Sequence, residues 1–228
     1  MYCTSTQMKL LSGSEFQTLE QKGMDKFPRP YMDFMKNYGS GTYGGAICIY
    51  TPDFNSLKDF AEYDFWNYEE APITKEQFHE CAVIGNSIDG DYIAVHAEVK
   101  GYILLPRESD IITLFRDNDE NFICTINKIG KFLYDENLAD YFEPVGNKQV
   151  FLRASDRNIH DLARRFKMAF KGDYLIENEY VCEVFLIDMG GYVRFNYSYG
   201  HEVAVFYSDY GLTCFKEVRK FLKENGCR

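Results

Sequence analysis

Between Pro28 and Tyr38 the apolar positions fall at Tyr31, Phe34, Met35 and Tyr38, the i, i+3, i+4, i+7 spacing of one helical face. Pro28 and Pro30 suit the entry to that helix, and Gly39 suits its exit because glycine takes positive φ without strain. A shorter helix with Phe16 and Leu19 turned inward is expected before it. The run AICIY (46–50) reads as a strand, and Ser56 is placed to cap a helix through LKDFAEY (57–63), with Leu57 and Phe60 on a common face. From Cys81 the pattern changes to sheet. CAVIG, YIAVHAEV and GYILLP predict three strands, and NSIDGD between the first two has turn chemistry. Helical spacing returns with Phe122, Ile126, Ile129 and Leu133, closing near residue 136.

The segment DENLADYFEPVGN (135–147) carries Pro and Gly and marks a boundary. It separates a first domain, 1–136, from a second, 137–228. The second opens on the strand-like QVFLRA. Ser155 or Asp156 then caps a helix that turns Ile159, Leu162, Ala163, Phe166 and Phe170 to one side. Three strands follow, EYVCEVFLID, GGYVRFNYSY and HEVAVFYSD, with turns at Met189–Gly191 and Tyr199–Gly200. The last helix, LTCFKEVRKFLKEN, buries Leu212, Phe215, Val218 and Leu222, and Gly226 lies just past it. The expected fold class is α+β, with the second domain a small α+β sandwich of one antiparallel sheet under two helices.

Charge sharpens the division. The net charge is −10. Residues 1–136 carry 22 acidic and 12 basic side chains, whereas residues 137–228 carry 13 of each, so the whole excess lies in the first domain. Within 53–91, ten acids stand against Lys58 and Lys75. An acidic face repels nucleic acid and either steers basic partners or simply keeps the surface solvated. With 18 Tyr and 19 Phe, the chain has aromatics for a core and for a recognition surface. No apolar run reaches the ~18 residues of a membrane span, and the opening MYCTSTQMKLL is unlike a signal peptide. The seven cysteines are scattered, with no C-x-x-C pair, which argues against a zinc site or a disulfide framework and for reduced thiols in the cytoplasm.

Gly39, Gly41 and Gly44 spell G-x-G-x-x-G. A dinucleotide loop must follow a strand and open a helix, so that phosphate meets the helix N-terminus. Here the order is reversed, no P-loop lysine follows, and the glycines are expected to make a close-packed helix-to-strand turn. The same stretch, Pro28, Tyr31, Phe34, Tyr38, Gly39, Ser40 and Gly41 followed by Ile47–Pro52, resembles the opening of the SUKH superfamily. These proteins are related to the fungal cell-wall-assembly regulator, and many bacterial members are immunity proteins of polymorphic toxin systems. CAVIGNSIDGDYIAVH resembles the family's strand, glycine–acid turn and strand, with Gly85, Gly90, Asp91 and Tyr92 in matching places. GYILLPRESDIITLF and the closing helix complete a resemblance over about residues 10–136, while Trp66 has no clear counterpart to the family's frequent tryptophan. The resemblance implies a curved antiparallel sheet with flanking helices to one side, and a binding protein with no catalytic residues.

Candidate chemistry elsewhere is sparse. His79, His96, His160 and His201 lack metal spacing with one another, and no G-x-S-x-G elbow exists. Asp89 and Asp91 offer carboxylates without the spacing of a calcium loop. Arg153, Arg157, Arg164 and Arg165 form the basic cluster, and Asp161 between 157 and 165 makes it an ion-paired helix face. Three functions remain open. The first is an immunity protein, monomeric or weakly dimeric, whose acidic face covers the cleft of a basic toxin, a nuclease by its expected positive charge. Its partner-binding residues are Asp64, Trp66, Tyr68, Glu69, Glu70, Asp89, Asp91 and Tyr92, with Trp66 and Tyr68 as anchors. The second is a non-catalytic scaffold or regulator. The third is a hydrolase using Asp89, Asp91 or His96. No cofactor, metal, nucleic acid or membrane enters the first reading.

Overall fold

The computed structural model describes residues 1–23, 26–60, 63–118, 121–155 and 158–228. Glu62 of the acidic run, the alternative cap Asp156 and Arg157 lie outside the described residues. The elements are, in chain order, β1 (Tyr2–Cys3), α1 (Gly13–Gln21), α2 (Arg29–Asn37), β2 (Gly41–Tyr43), β3 (Ile47–Asp53), α3 (Lys75–Glu80), β4 (Ala82–Ser87), β5 (Tyr92–His96), β6 (Val99–Leu105), β7 (Thr113–Phe115) and α4 (Phe122–Tyr134). Then come β8 (Tyr141–Pro144), β9 (Lys148–Arg153), α5 (Ile159–Ala169), β10 (Tyr174–Glu177), β11 (Val181–Leu186), β12 (Gly191–Asn196), β13 (Glu202–Tyr207) and α6 (Leu212–Glu224). The class is α+β, with mostly antiparallel pairing and helices flanking the sheets.

The chain divides into two compact units. One is Lys9–Asp140, and the other joins Met1–Met8 to Tyr141–Arg228. A division after residue 136 leaves the first eight residues with the first domain, whereas the structure groups them with the C-terminal unit. Backbone pairing and ring packing explain it. β1 pairs in parallel with β8 (Tyr2 opposite Tyr141), and the Tyr2 ring stacks on Tyr174 with centroids 5.1 Å apart.

In the Lys9–Asp140 unit, strands β2 to β7 pair in sequence order, each antiparallel to the next, in a curved sheet. Register shifts interrupt the β3–β4, β4–β5 and β5–β6 ladders, and such bulges bend a strand and increase its twist. α2 and α4 cover one face: Tyr31 and Tyr102 each meet the Phe122 ring with centroids 5.4 Å apart, and Tyr31 donates to the Tyr50 carbonyl at 2.8 Å. Tyr31, Phe34 and Met35 are buried as the helical spacing predicts, and Tyr38 is half-buried at the helix end. Residues alternate across β6, so Ile103 and Leu105 point away from Tyr102. They pack with Leu57, Trp66, Phe78, Val83 and Ala94 into a second core, and α3 therefore lies on the opposite face from α2 and α4. Helices on both faces depart from the one-sided arrangement that the resemblance implies.

Two further local readings are corrected. Where the helix expected from Ser56 through residue 63 is described, it is a 3-10 turn, Ser56–Phe60, which contains Ser56 rather than being capped by it; Ala61 and Glu62 lie outside the described residues. Asp53 caps the turn, accepting the backbone N–H groups of Asn55 (2.7 Å) and Ser56 (3.2 Å) and the Ser56 hydroxyl. α1 forms with a Ser12–Glu15 capping box but buries none of its residues, so Phe16 and Leu19 are only half-covered. The glycine pattern does serve backbone geometry. Gly39 has φ +70°, and a Cβ there meets the Lys9 carbonyl oxygen at 2.3 Å; Gly44, at φ +58°, turns the β2–β3 hairpin.

The other unit is a five-stranded antiparallel sheet in the order β10-β11-β12-β13-β9, with α5 and α6 on one face. Ile159, Leu162, Ala163 and Phe166 from α5 meet Phe215, Val218 and Leu222 from α6 over Val184, Val193 and Val205. Leu212, expected in that core, is 41% exposed because it begins the first turn of α6. Asn158 caps α5 in place of Ser155, whose hydroxyl instead donates to the Gly226 carbonyl. On the other face Tyr141 packs on Phe185, with centroids 4.8 Å apart, and the Tyr192 hydroxyl donates to Glu143 at 3.3 Å. Burial raises the carboxyls of both Glu143 and Glu183, the latter to about 7, while Arg194 opposes the shift in each. Among the described residues no helix is long and apolar enough to cross a membrane.

Candidate functional site

Two irregular segments of the Lys9–Asp140 unit enclose a groove on its surface. The first, 63–70 with Phe60 before it, sets aromatic residues between acids; the second is Pro106–Asp110, which follows β6. They are tied together twice. The Trp66 indole N–H donates to the Pro106 carbonyl at 2.9 Å, and the Asn67 backbone N–H donates to the Asp110 carbonyl at 2.9 Å. Between them lies a groove of about 650 Å³, lined by Phe60, Phe65, Trp66, Gly90, Tyr92 and Pro106–Asp110. Phe65 is held at steep angles to Phe60 (centroids 5.7 Å) and Trp66 (6.0 Å), and Tyr63 stacks on it at 5.2 Å. Phe65 is 51% exposed and Tyr63 57% exposed, a costly way to place large rings unless they meet something.

The β4–β5 turn forms one wall, and a reciprocal lock shapes it. The Ser87 hydroxyl donates to an Asp91 carboxylate oxygen at 2.5 Å and accepts the Asp91 backbone N–H at 3.0 Å. The other carboxylate oxygen of Asp91 accepts the Arg107 backbone N–H at 2.9 Å. Arg107 in turn donates through Nη1 to the Asp89 carbonyl at 3.0 Å. Its stem lies over Gly90, where an added Cβ comes within 3.1 Å of Arg107 Cδ. A neighbouring hollow of about 520 Å³ shares Pro106–Ser109 and takes in Asp89, Asp91 and Tyr134.

The expected partner-binding residues thus separate into three groups. Trp66 and Tyr92 line the groove, but Trp66 is only 7% exposed and part of the core, so it is a post supporting the wall. Asp89 is exposed, whereas Asp91 is buried and engaged internally. Asp64, Glu69 and Glu70 are exposed outside the groove lining, and Tyr68 is half-buried with its ring edge against Phe78. A hydrogen bond and ion pair with Lys75 at 2.8 Å hold the Asp64 carboxyl below its usual range. Sequence reasoning missed Phe60, Tyr63, Phe65, Glu108 and Asp110. The density of rings in DFAEYDFWNY (59–68) was the available signal for the first three.

Of the residues considered for catalysis, Asp91 and His96 are engaged internally, while Asp89 is exposed. His96 is buried; its Nδ1 accepts the Glu98 backbone N–H at 3.1 Å, which leaves Nε2 facing Glu80 at 3.4 Å. Burial pushes the Cys81 thiol up to about 12 and those of Cys182 and Cys227 to about 11, far from a reactive thiolate. Among the described residues no group of three or more His, Cys, Asp or Glu is placed to hold a metal ion. Comparison with protein-family models, with curated proteins and with solved structures returned no match.

Proposed function

We propose that this chain is a cytoplasmic, non-catalytic binding protein of SUKH type that neutralises a basic protein, a cognate nuclease toxin, by laying the acidic face of its Lys9–Asp140 unit over the toxin's cleft. One observation carries the reading. Exposed rings, Tyr63 and Phe65, stand among the exposed carboxylates of Asp64, Glu69, Glu70, Glu108 and Asp110. Aromatic anchors ringed by charge are the composition of recognition surfaces: rings contribute area at low entropic cost, while carboxylates steer a cationic partner and fix its orientation. The engagement of His96 and Asp91 in internal hydrogen bonds, and the raised thiols, favour binding over hydrolysis.

The test is capture of the product of the neighbouring reading frame by the purified protein, followed at two salt concentrations beside a nuclease assay. Capture should slow as salt rises, and nuclease activity should fall with occupancy. Reversing Glu69 and Glu70 to lysine should lower the association rate about tenfold at low salt, with the circular dichroism unchanged. A partner that is neither captured nor inhibited removes the toxin-neutralising reading.

A further inference from the structure

We infer that the groove beside Trp66 is built to receive one arginine side chain, presented on a protruding loop of a basic protein; this rests on the binding reading above and names what the site holds. The groove is lined by the rings of Phe60, Phe65 and Tyr92, with the largely buried Trp66 behind them, and the Pro106–Asp110 wall includes the acidic residues Glu108 and Asp110. Ring faces attract a cation within about 6 Å through their quadrupole. Carboxylates accept the paired N–H groups of a guanidinium. A guanidinium satisfies both at once, because it is flat, weakly hydrated and rich in donors. A lysine ammonium is compact and strongly hydrated, so it stacks less well; an apolar side chain desolvates two carboxylates without pairing them, and an anion is repelled.

The chain's own Arg107 lines the groove without filling this role. Its Nη1 is directed onto the Asp89 carbonyl at 3.0 Å and its stem lies over Gly90. The walls are fixed in advance by the Trp66–Pro106 and Asn67–Asp110 hydrogen bonds, so little ordering remains to oppose binding. At about 650 Å³ the groove has the size of a ligand site rather than of a packing defect.

Trp66 is the single tryptophan of the chain, so its indole N–H gives one isolated nuclear magnetic resonance signal at the groove wall. The full-length ¹⁵N-labelled protein is titrated with N-acetyl-Gly-Arg-Gly-amide and, separately, with its citrulline and lysine counterparts. The arginine peptide should move the indole signal saturably with a Kd of about 1 mM. The uncharged citrulline peptide, nearly identical in shape, should bind at least about tenfold more weakly, and the lysine peptide several-fold more weakly. The double variant Glu108→Gln, Asp110→Asn changes only exposed side chains and should weaken arginine binding about tenfold while the rest of the spectrum is preserved. A signal that does not move at tens of millimolar peptide overturns the inference, as does an equal response to citrulline or lysine. Because no partner is present, the outcome is separate from the capture experiment. Capture without arginine binding removes the groove assignment alone, and arginine binding without capture removes the toxin-neutralising role alone.

Discussion

Asp91 shows how one carboxylate can look like surface charge in the sequence and prove to be internal structure. It follows the turn residues Asp89 and Gly90 and reads there as one more acid of a negative face. In the structure two donors converge on it, the Ser87 hydroxyl and the Arg107 backbone N–H, and these compensate its burial. Asp91→Ala leaves both donors without their partner and should lower stability by about 2–3 kcal/mol in urea unfolding. Asp89→Ala, at an exposed position one residue before Gly90, should change it by less than about 0.5 kcal/mol. Trp66 misleads in the opposite sense. Its size suggested an anchor for a partner, but its N–H is used by Pro106 and its ring by the core, and the exposed ring beside it is Phe65. Sequence alone marks residue type; it does not reveal which donors lie within 3 Å.

At the scale of elements, most of the fold was legible because long amphipathic segments declare themselves. α2, α4, α5 and α6 carry their buried faces where the 3.6-residue period puts them, apart from the end positions Tyr38, Leu133, Phe170 and Leu212. Short elements were not legible by period. α3 has six residues, too few for a repeat to register, yet it begins with a Thr74–Gln77 capping box whose spacing is visible in the sequence. Thr74→Ala should cost about 1 kcal/mol of stability, read as a shift in the urea midpoint. β7 and β10 were also missed; each lies at the end of its sheet, and neither contains a fully buried residue to mark its pattern. The groove escaped the sequence for a related reason. Its second wall, Pro106–Asp110, is an irregular segment about 40 residues from Trp66, and only the folded sheet brings the two together.

Across the whole molecule, acidity is unevenly distributed and so is its response to pH. In the unit that contains the C-terminus, Glu183 is raised to about 7 from an ordinary value near 4.5, chiefly by burial. The folded unit therefore keeps a proton that the unfolded chain releases between those two values. The contribution of Glu183 to stability is fully present below about 4.5, is lost as the pH rises through 7, and does not change further above it. The total change from this group is on the order of 3 kcal/mol. Glu183→Gln should flatten this decline and make the unit more stable than the parent at pH 8. Amide hydrogen exchange of β11 and β12 measures it directly, since the only tryptophan reports on the other unit.

The pairing of β1 with β8 sets an order on biosynthesis. Tyr2 leaves the ribosome well before Tyr141 and meets it only after the intervening chain has been made, a wait of roughly 10–30 s at ordinary elongation rates. By then Lys9–Asp140, with every residue of the groove, has been made and its strands pair in the order they emerge. A nascent chain therefore completes the groove-bearing unit before the unit that joins β1 to the strands from β8 onward can close.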